Sequence, residues 1–192
     1  MKLSLPSPAK LNLFLHITGR REDGYHNLQT LFQLLDYGDH LEIETNNSGE
    51  IQLSSTLKII ADTENLVFRA AKAIQKYTKC TYGANIFLDK KLPIGGGLGG
   101  GSSNAATTLV GLNRLWGLNL SNQELLKIGA KIGADIPVFV SGFTAWAEGT
   151  GEELTAIERP TEWFLVLIPN TNISTSEIFA HEGLTRNTHP IK

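Results

Sequence analysis

The chain of 192 residues is long enough to bury a hydrophobic core, and its 41% hydrophobic and 19% charged residues argue against both disorder and a membrane-embedded class. A net charge of −2 argues against nucleic-acid binding by bulk charge, and a lone cysteine, Cys80, excludes an intrachain disulfide and a thiolate metal cage. Because Pro6 and Pro8 interrupt any apolar run in the first ten residues, no signal peptide is expected. The expected location is the cytoplasm, and neither nucleic acid nor a membrane is an expected partner.

The elements predicted from hydrophobic periodicity change from strands to helices along the chain. In order, the patterns predict strands at 10–17, 26–35, 40–45 and 51–55, a helix at 64–79, a strand at 84–89, a loop at 90–101, a helix at 104–116, a helix capped by Ser121 that runs to 132, and strands at 143–148 and 163–168. In the first strand Leu11, Leu13, Leu15 and Ile17 form the face expected to be buried. Strands clustered early favour an α+β fold.

The most informative segment is the glycine-rich loop from Pro93 to Ser103. Six of the seven residues at 95–101 are glycine, and the loop joins a predicted strand to a predicted helix. The amides of such a loop, with the positive end of the helix dipole behind them, can bind an anion. A Walker A motif would need a lysine after Gly101, and the G-x-G-x-x-G match at 95–100 lacks the acidic residue expected about 20 positions later. A turn without a ligand stays open as an alternative.

Two charged residues could carry chemistry beside such a loop. Lys10 lies within a predicted strand, where a buried ammonium would need a partner, and the alternative is a surface lysine. Asp135 precedes Ile136-Pro137, a pattern typical of helix N-capping, which the local evidence favours. The carboxylate could also accept a proton from a substrate hydroxyl. A nearby lysine would favour its charged form and oppose the charge of a transferred phosphoryl group.

Four ordered motifs resemble the GHMP kinases, the superfamily of galactokinase, homoserine kinase and mevalonate kinase. The motifs are Pro8-Ala9-Lys10-Leu11-Asn12-Leu13, Arg21-Glu22-Asp23-Gly24-Tyr25-His26, Pro93 to Asn104, and Gly133-Ala134-Asp135-Ile136-Pro137. Within the superfamily they are most similar to the kinases of non-mevalonate isoprenoid precursor biosynthesis, which act on a cytidine diphosphate-linked methylerythritol. The resemblance covers the whole chain. It implies an α+β, GHMP-kinase-like N-terminal domain with a mostly antiparallel sheet and helices packed on one face.

The resemblance implies an ATP-dependent kinase that uses Mg²⁺ and phosphorylates the 2-hydroxyl of a small-molecule substrate. Lys10 and Asp135 would form the catalytic pair, with Asp135 as the base. The hydroxyl of Ser102 or Ser103 would approach Mg²⁺, and Asn65 would contact adenine. The ATP phosphates would lie against Pro93, Ile94, Gly95, Gly96, Gly97, Leu98, Gly99, Gly100, Gly101, Ser102 and Ser103.

A groove for the cytosine base is also implied by the resemblance. Tyr25 and Phe179 would sandwich the base, and His26 would hydrogen-bond its edge. Asn12 and Thr175 would line the same groove. Two aromatic faces can hold a planar base by stacking. The alternatives are that Phe179 is a packing residue of a short helix and that His26 is an exposed turn residue.

The resemblance implies a second α/β domain that follows in such kinases, so the residues given are expected to be a fragment of roughly two thirds of such a protein. Residues 1–168 are therefore expected to form the ATP-binding, catalytic domain, and 169–192 the start of the connection to the C-terminal domain. High mobility or few contacts are expected near 170–192, and the chain alone is expected to fold but to be a poor kinase with at best weak nucleotide binding. Two other functions stay open: a GHMP kinase for a sugar, homoserine or mevalonate, and a module that binds a nucleotide or anion without turnover.

Overall fold

The computed structural model describes residues 1–57, 64–169 and 175–191, which form one mixed sheet and the helices packed against it. The elements are β1 (Lys2–Arg20), β2 (His26–Asn46), β3 (Ile51–Ser55), α1 (Leu66–Thr78), β4 (Gly83–Asp89), α2 (Gly100–Leu115), α3 (Asn122–Ala130), α4 (Ile136–Ser141), β5 (Ala145–Glu148), β6 (Glu153–Ala156) and α5 (Thr175–Ala180). Within the described ranges, no helix is long and apolar enough to cross a membrane.

The long strand β2 organises the sheet. Its second half pairs with β4 and its first half with β5, while β1 runs antiparallel along nearly its whole length. The strand order is β3-β4-β2-β5-β6, with β1 attached to β2, and of these pairs β3–β4 is parallel. The predicted α+β fold with a mostly antiparallel sheet is thereby confirmed.

The core lies between the sheet and the helices on one of its faces. Leu41 and Ile43 of β2 and Leu88 of β4 are almost fully buried, and they belong to one apolar cluster with Leu109 and Leu112 of α2. Burial of such side chains stabilises the domain by about 1.5–3 kcal/mol each. The apolar residues of α2 and β2 therefore fix where the glycine-rich loop meets its helix.

Several predicted element boundaries are confirmed, but two of the predicted strands are in fact one continuous strand. Ile51–Ser55 is a strand as predicted, and Ser121 caps α3 in a reciprocal capping box with Glu124. The strands predicted at 26–35 and 40–45 form the single strand β2, because Gly38 between them pairs with Pro8 of β1 and so stays in the sheet. A Cβ at Gly38 would lie 2.1 Å from the Ser7 carbonyl oxygen, so this glycine serves a close strand contact rather than a turn.

Two other expectations were wrong. Residues 163–168 form no strand; Trp163 is 96% exposed and Leu167 is 82% exposed. A strand needs a paired neighbour for its backbone groups, and no described segment pairs with this one. The expected buried face of β1 also differs, because register shifts after Pro8 and Asn12 turn the strand, so that Leu15 is 42% exposed.

The described end of the chain contacts the β1–β2 hairpin. The Thr188 amide donates to the Ile17 carbonyl at 2.9 Å. The Gln29 side chain accepts from the Ile191 amide at 2.8 Å and donates to its carbonyl at 3.2 Å. Residues 188–191 are therefore held to the hairpin by hydrogen bonds, although most described residues from 177 to 191 are exposed; 170–174 and 192 lie outside the described residues.

Candidate active site

A cleft of about 990 Å³ opens between the glycine-rich loop and the β1–β2 hairpin. Almost all of the predicted site residues line it: Lys10, Asn12, Tyr25, His26, Asn65, Pro93 to Ser102, Asp135 and Phe179. Thr175 begins α5, but its side chain lies outside the described part of the structure. Lys10 lies beside the loop, whereas Tyr25 and His26 lie at the far end of the hairpin, so the cleft has two chemically different ends.

The glycine-rich loop is tied to β1 and opens onto α2. Gly95, Gly97 and Gly99 have φ values of 75°, 73° and 70°, in the left-handed region that favours glycine. The Lys10 amide donates to the Leu98 carbonyl at 3.0 Å. Because α2 begins at Gly100 rather than at the predicted 104, the unpaired amides of its first turn lie at the end of the loop. This is the geometry of an anion site backed by a helix dipole.

Lys10 and Asp135 come together in this cleft, as predicted. The Lys10 ammonium lies 3.5 Å from Asp135 Oδ2; the lysine side chain is 7% exposed and the aspartate side chain 39% exposed. Asp135 occupies the N-cap position of α4 without a side-chain capping bond, so the local capping interpretation is wrong. Its carboxylate is thus available to a group in the cleft.

A short polar chain holds the Lys10 ammonium in place, so the surface-lysine alternative is also wrong. Lys10 Nζ donates to Asn12 Oδ1, and Asn12 Nδ2 donates to the Thr30 hydroxyl at 2.9 Å. The ammonium also lies 5.5 Å from the centre of the Phe32 ring, within cation–π range. Asn12 therefore orients the lysine from β1 itself.

The other end of the cleft is aromatic. The ring centres of His26 and Phe179 are 5.3 Å apart, with an interplanar angle of 33°. Tyr25 is 65% exposed beside them. Burial lowers the pKa of His26, and the charge of Arg186 lowers it further, so the ring is neutral at pH 7. Among the described residues no group bonds to His26 Nε2, a nitrogen that is itself buried.

Two residues predicted to contact ATP behave differently from each other. Asn65 lines the cleft and caps α1, since its Oδ1 accepts from the Val67 amide at 2.9 Å, and its amide group is left as a donor. Ser103 is fully buried; its hydroxyl bonds to that of Ser7 at 3.0 Å and its amide donates to the Gly99 carbonyl. A direct contact of Ser103 with phosphate is therefore not supported, and Ser102 is the serine that lines the cleft.

The sequence reasoning missed a second ion pair at the cleft. Lys90 Nζ lies 2.6 Å from Asp39 Oδ2, and both side chains are buried. Lys90 lines the cleft beside the start of α2. A lysine at the end of a strand, directly before a glycine-rich loop, was the signal that could have revealed it. Within the described part of the chain, no three His, Cys, Asp or Glu residues are grouped to hold a metal ion.

Comparison with known proteins agrees with this geometry. The family described as GHMP kinases N terminal domain matches residues 65–143. A crystal structure of 4-(cytidine 5'-diphospho)-2C-methyl-D-erythritol kinase superposes with a TM-score of 0.72 at 37% identity, covering 82% of this chain and 56% of that one. The mevalonate kinase of Methanococcus jannaschii, at 19% identity and a TM-score of 0.62 over 83% of this chain and 56% of its own, shares the fold. The fold is therefore that of the N-terminal part of a GHMP kinase.

Curated relatives identify which family of GHMP kinases the chain belongs to. The 4-diphosphocytidyl-2-C-methyl-D-erythritol kinase of Shewanella piezotolerans is 56% identical over 98% of this chain and 66% of its own length. The enzyme of the same name from Pseudomonas fluorescens is 55% identical over 100% of this chain and 68% of its own. The chain thus spans about two thirds of the length of these relatives. It belongs to the 4-diphosphocytidyl-2-C-methyl-D-erythritol kinase family.

Proposed function

We propose that this chain forms the nucleotide-binding and catalytic part of a kinase that transfers the γ-phosphoryl group of ATP to the 2-hydroxyl of 4-diphosphocytidyl-2-C-methyl-D-erythritol, a step of non-mevalonate isoprenoid biosynthesis. One observation carries the proposal: the Lys10 ammonium and the Asp135 carboxylate lie 3.5 Å apart in the cleft that the glycine-rich loop lines. The names of the relatives support the acceptor and the reaction.

The loop suits the triphosphate of ATP. Its glycines bring backbone amides close to a ligand, and a Cβ at Gly97 would meet no atom within 4 Å, so there is room beside it. From Leu92 to Gln123 Arg114 is the only charged residue, so no carboxylate of this stretch repels phosphate. Asn65 lies at the start of α1, where its amide group can donate to adenine. These features favour a nucleotide over a small anion.

The oxygen donors of the cleft also suit Mg²⁺ bound to the nucleotide. Mg²⁺ is usually held by one or two carboxylates together with substrate phosphates, rather than by a cage of protein ligands. Among the loop residues that line the cleft, Ser102 carries the hydroxyl that would approach it, while the Asp135 carboxylate is left for the acceptor hydroxyl. When bound, the ion would neutralise part of the phosphate charge.

In the transfer step Asp135 would accept the proton of the substrate hydroxyl as that oxygen bonds to the γ-phosphorus. The bond from the γ-phosphorus to the bridging oxygen breaks, and its electron pair leaves with ADP. The Lys10 ammonium would stabilise the charge of the transferred group, with Asn12 holding the ammonium in place. Proton transfer to a positioned base contributes about 10²–10⁴-fold to such a rate.

The aromatic end of the cleft favours the cytidine acceptor over the other GHMP substrates. The neutral His26 ring can exchange a hydrogen bond with the edge of cytosine, while Tyr25 and Phe179 offer faces for stacking. Asn12 would line the acceptor groove at its other end, beside Lys10, and Thr175 would line it from the helix that carries Phe179. Mevalonate, homoserine and sugars have no base to stack. In the described geometry Phe179 contacts His26, so we propose that the cytosine takes a place between Tyr25 and this pair.

An acceptor panel tests the proposal. The full-length protein is incubated with ATP and Mg²⁺ and, separately, with 4-diphosphocytidyl-2-C-methyl-D-erythritol, mevalonate, homoserine and galactose. ADP release is measured, and phosphorus NMR locates the new phosphate. ADP release with the cytidine acceptor, and a monoester at its 2-hydroxyl, is the expected result. Turnover of another acceptor alone would favour a different GHMP kinase, and ATP binding without turnover of any acceptor would favour a binding module.

A further inference from the structure

Asp39 carries a carboxylate that is fully buried yet has hydrogen-bond partners on both oxygens. Oδ1 accepts from the amides of Lys91 and Leu92, both at 2.7 Å. Oδ2 accepts from Lys90 Nζ at 2.6 Å and from Asn104 Nδ2 at 3.0 Å. A buried charge with four donors is a satisfied one, because each lone pair lost from water finds a partner.

These four donors come from both ends of the glycine-rich loop. Residues 90–92 lead into the loop, and Asn104 lies in the second turn of α2, which the loop enters. One carboxylate therefore closes the loop across its base. Glycines lose more backbone freedom on ordering than other residues, so a loop with fixed ends has less freedom to lose when a ligand binds.

The network continues to β1, on the side away from the cleft. The buried hydroxyl of Ser7 donates to Asn104 Oδ1 at 2.7 Å. A carboxylate can only accept, so this bond and the one to Asp39 together fix which way the Asn104 amide points. Gly38 allows Ser7 to approach, since any Cβ there would collide with the Ser7 carbonyl.

We infer that Asp39 is a positioning residue for the nucleotide donor. Its carboxylate fixes both ends of the phosphate-binding loop and holds the Lys90 side chain against the cleft wall, while Asp39 itself does not line the cleft. The inference rests on the proposed function, because it assigns ATP to this loop. Its effect reaches ATP through residues 90–92 and Asn104, and it does not reach the cytosine end near Tyr25 and His26.

The test is Asp39→Asn in the full-length protein. An asparagine can still accept from the amides of Lys91 and Leu92, but its NH₂ group would face the donors of Lys90 and Asn104, so the bond to α2 is lost. The KM for ATP should rise about tenfold or more, while the KM for the cytidine acceptor stays within about twofold. Asp36→Asn, an exposed change on the same strand, is the matched control and should alter neither constant.

Ser7→Ala is a milder second variant, because it removes the hydroxyl that orients Asn104 and makes no change in the cleft. It should raise the KM for ATP about threefold, in the same direction. A lower melting temperature with an unchanged KM for ATP in a folded Asp39→Asn protein would overturn the inference, since the network would then only stabilise the fold. If that variant does not fold, an unchanged KM for ATP in Ser7→Ala overturns it. Failure of the wild-type protein to turn over ATP with the cytidine acceptor would instead overturn the proposed function, and this inference with it.

Discussion

Gly99→Ala should be far more damaging than an alanine elsewhere in the loop. Gly99 caps α2 with a φ of 70°, and a Cβ there would lie 2.7 Å from Phe139 Cζ and 3.1 Å from Lys10 Cε. A left-handed conformation costs an alanine about 1–2 kcal/mol. Forcing a methyl group against a buried ring adds about 1–3 kcal/mol. The free energy of unfolding should therefore fall by about 2–5 kcal/mol.

Gly97→Ala is the matched control for this change. Gly97 has a φ of 73°, and a Cβ added there would have no atom within 4 Å, so only the backbone cost of about 1–2 kcal/mol applies. Urea unfolding of both variants, followed by circular dichroism, measures the difference. Because the added methyl also presses on Lys10, Gly99→Ala should lower kcat in the full-length protein. Equal destabilisation of the two variants would refute the close packing of loop, lysine and ring.

Three further predictions concern the ligand contacts. Tyr25→Ala should weaken binding of the cytidine acceptor by about 1–3 kcal/mol and leave ATP binding unchanged. The control, Tyr37→Ala, changes another exposed tyrosine and should alter the binding of neither ligand. Equal losses of affinity for both ligands, measured by calorimetry, would contradict a stacking role for Tyr25. Burial and the charge of Arg186 lower the pKa of His26 from its ordinary value of 6.5. The KM of the acceptor should therefore stay constant above pH 6.5 and rise only as the pH falls through the lowered pKa. The same pH profile in a His26→Gln enzyme would exclude His26 as the cause of this rise in KM. Asn65→Asp keeps the oxygen that caps α1 but loses the amide donor, so it should raise the KM for ATP. It should not show the loss of about 1 kcal/mol in stability that is expected for Asn65→Ala. An unchanged KM for ATP would show that Asn65 acts only as a helix cap.

Local sequence patterns predicted those elements whose determinants are themselves local. Ser121 and Glu124 form a capping box because the two side chains are three residues apart, and such spacing is visible in the sequence. Helix α2 begins four residues before the predicted start, because glycine is a poor helix former and the contacts that hold Gly100 are tertiary. The strand expected at 163–168 is a continuous apolar run of suitable length, yet it has no paired neighbour among the described residues.

The site was predictable where short motifs identify single residues, and not where several segments meet. The motifs around Lys10 and Asp135 identified both members of the pair, although local reasoning favoured a helix cap for the aspartate. No local sequence pattern identifies Asp39, because it is a single acidic residue next to a glycine. Its donors come from the end of β4, the loop entry and α2, and only the folded chain brings these together.

The role of Asp135 is the central claim, and Asp135→Ala in the full-length protein tests it most directly. Initial rates with saturating ATP and cytidine acceptor are measured beside ATP binding by calorimetry, with Asp36→Ala as an exposed control. The account predicts that kcat falls by about 10²–10⁴-fold or more while the affinity for ATP changes by less than about threefold. An Asp135→Ala enzyme that keeps more than about a tenth of the wild-type kcat would contradict the account, because general-base catalysis could not then depend on this carboxylate.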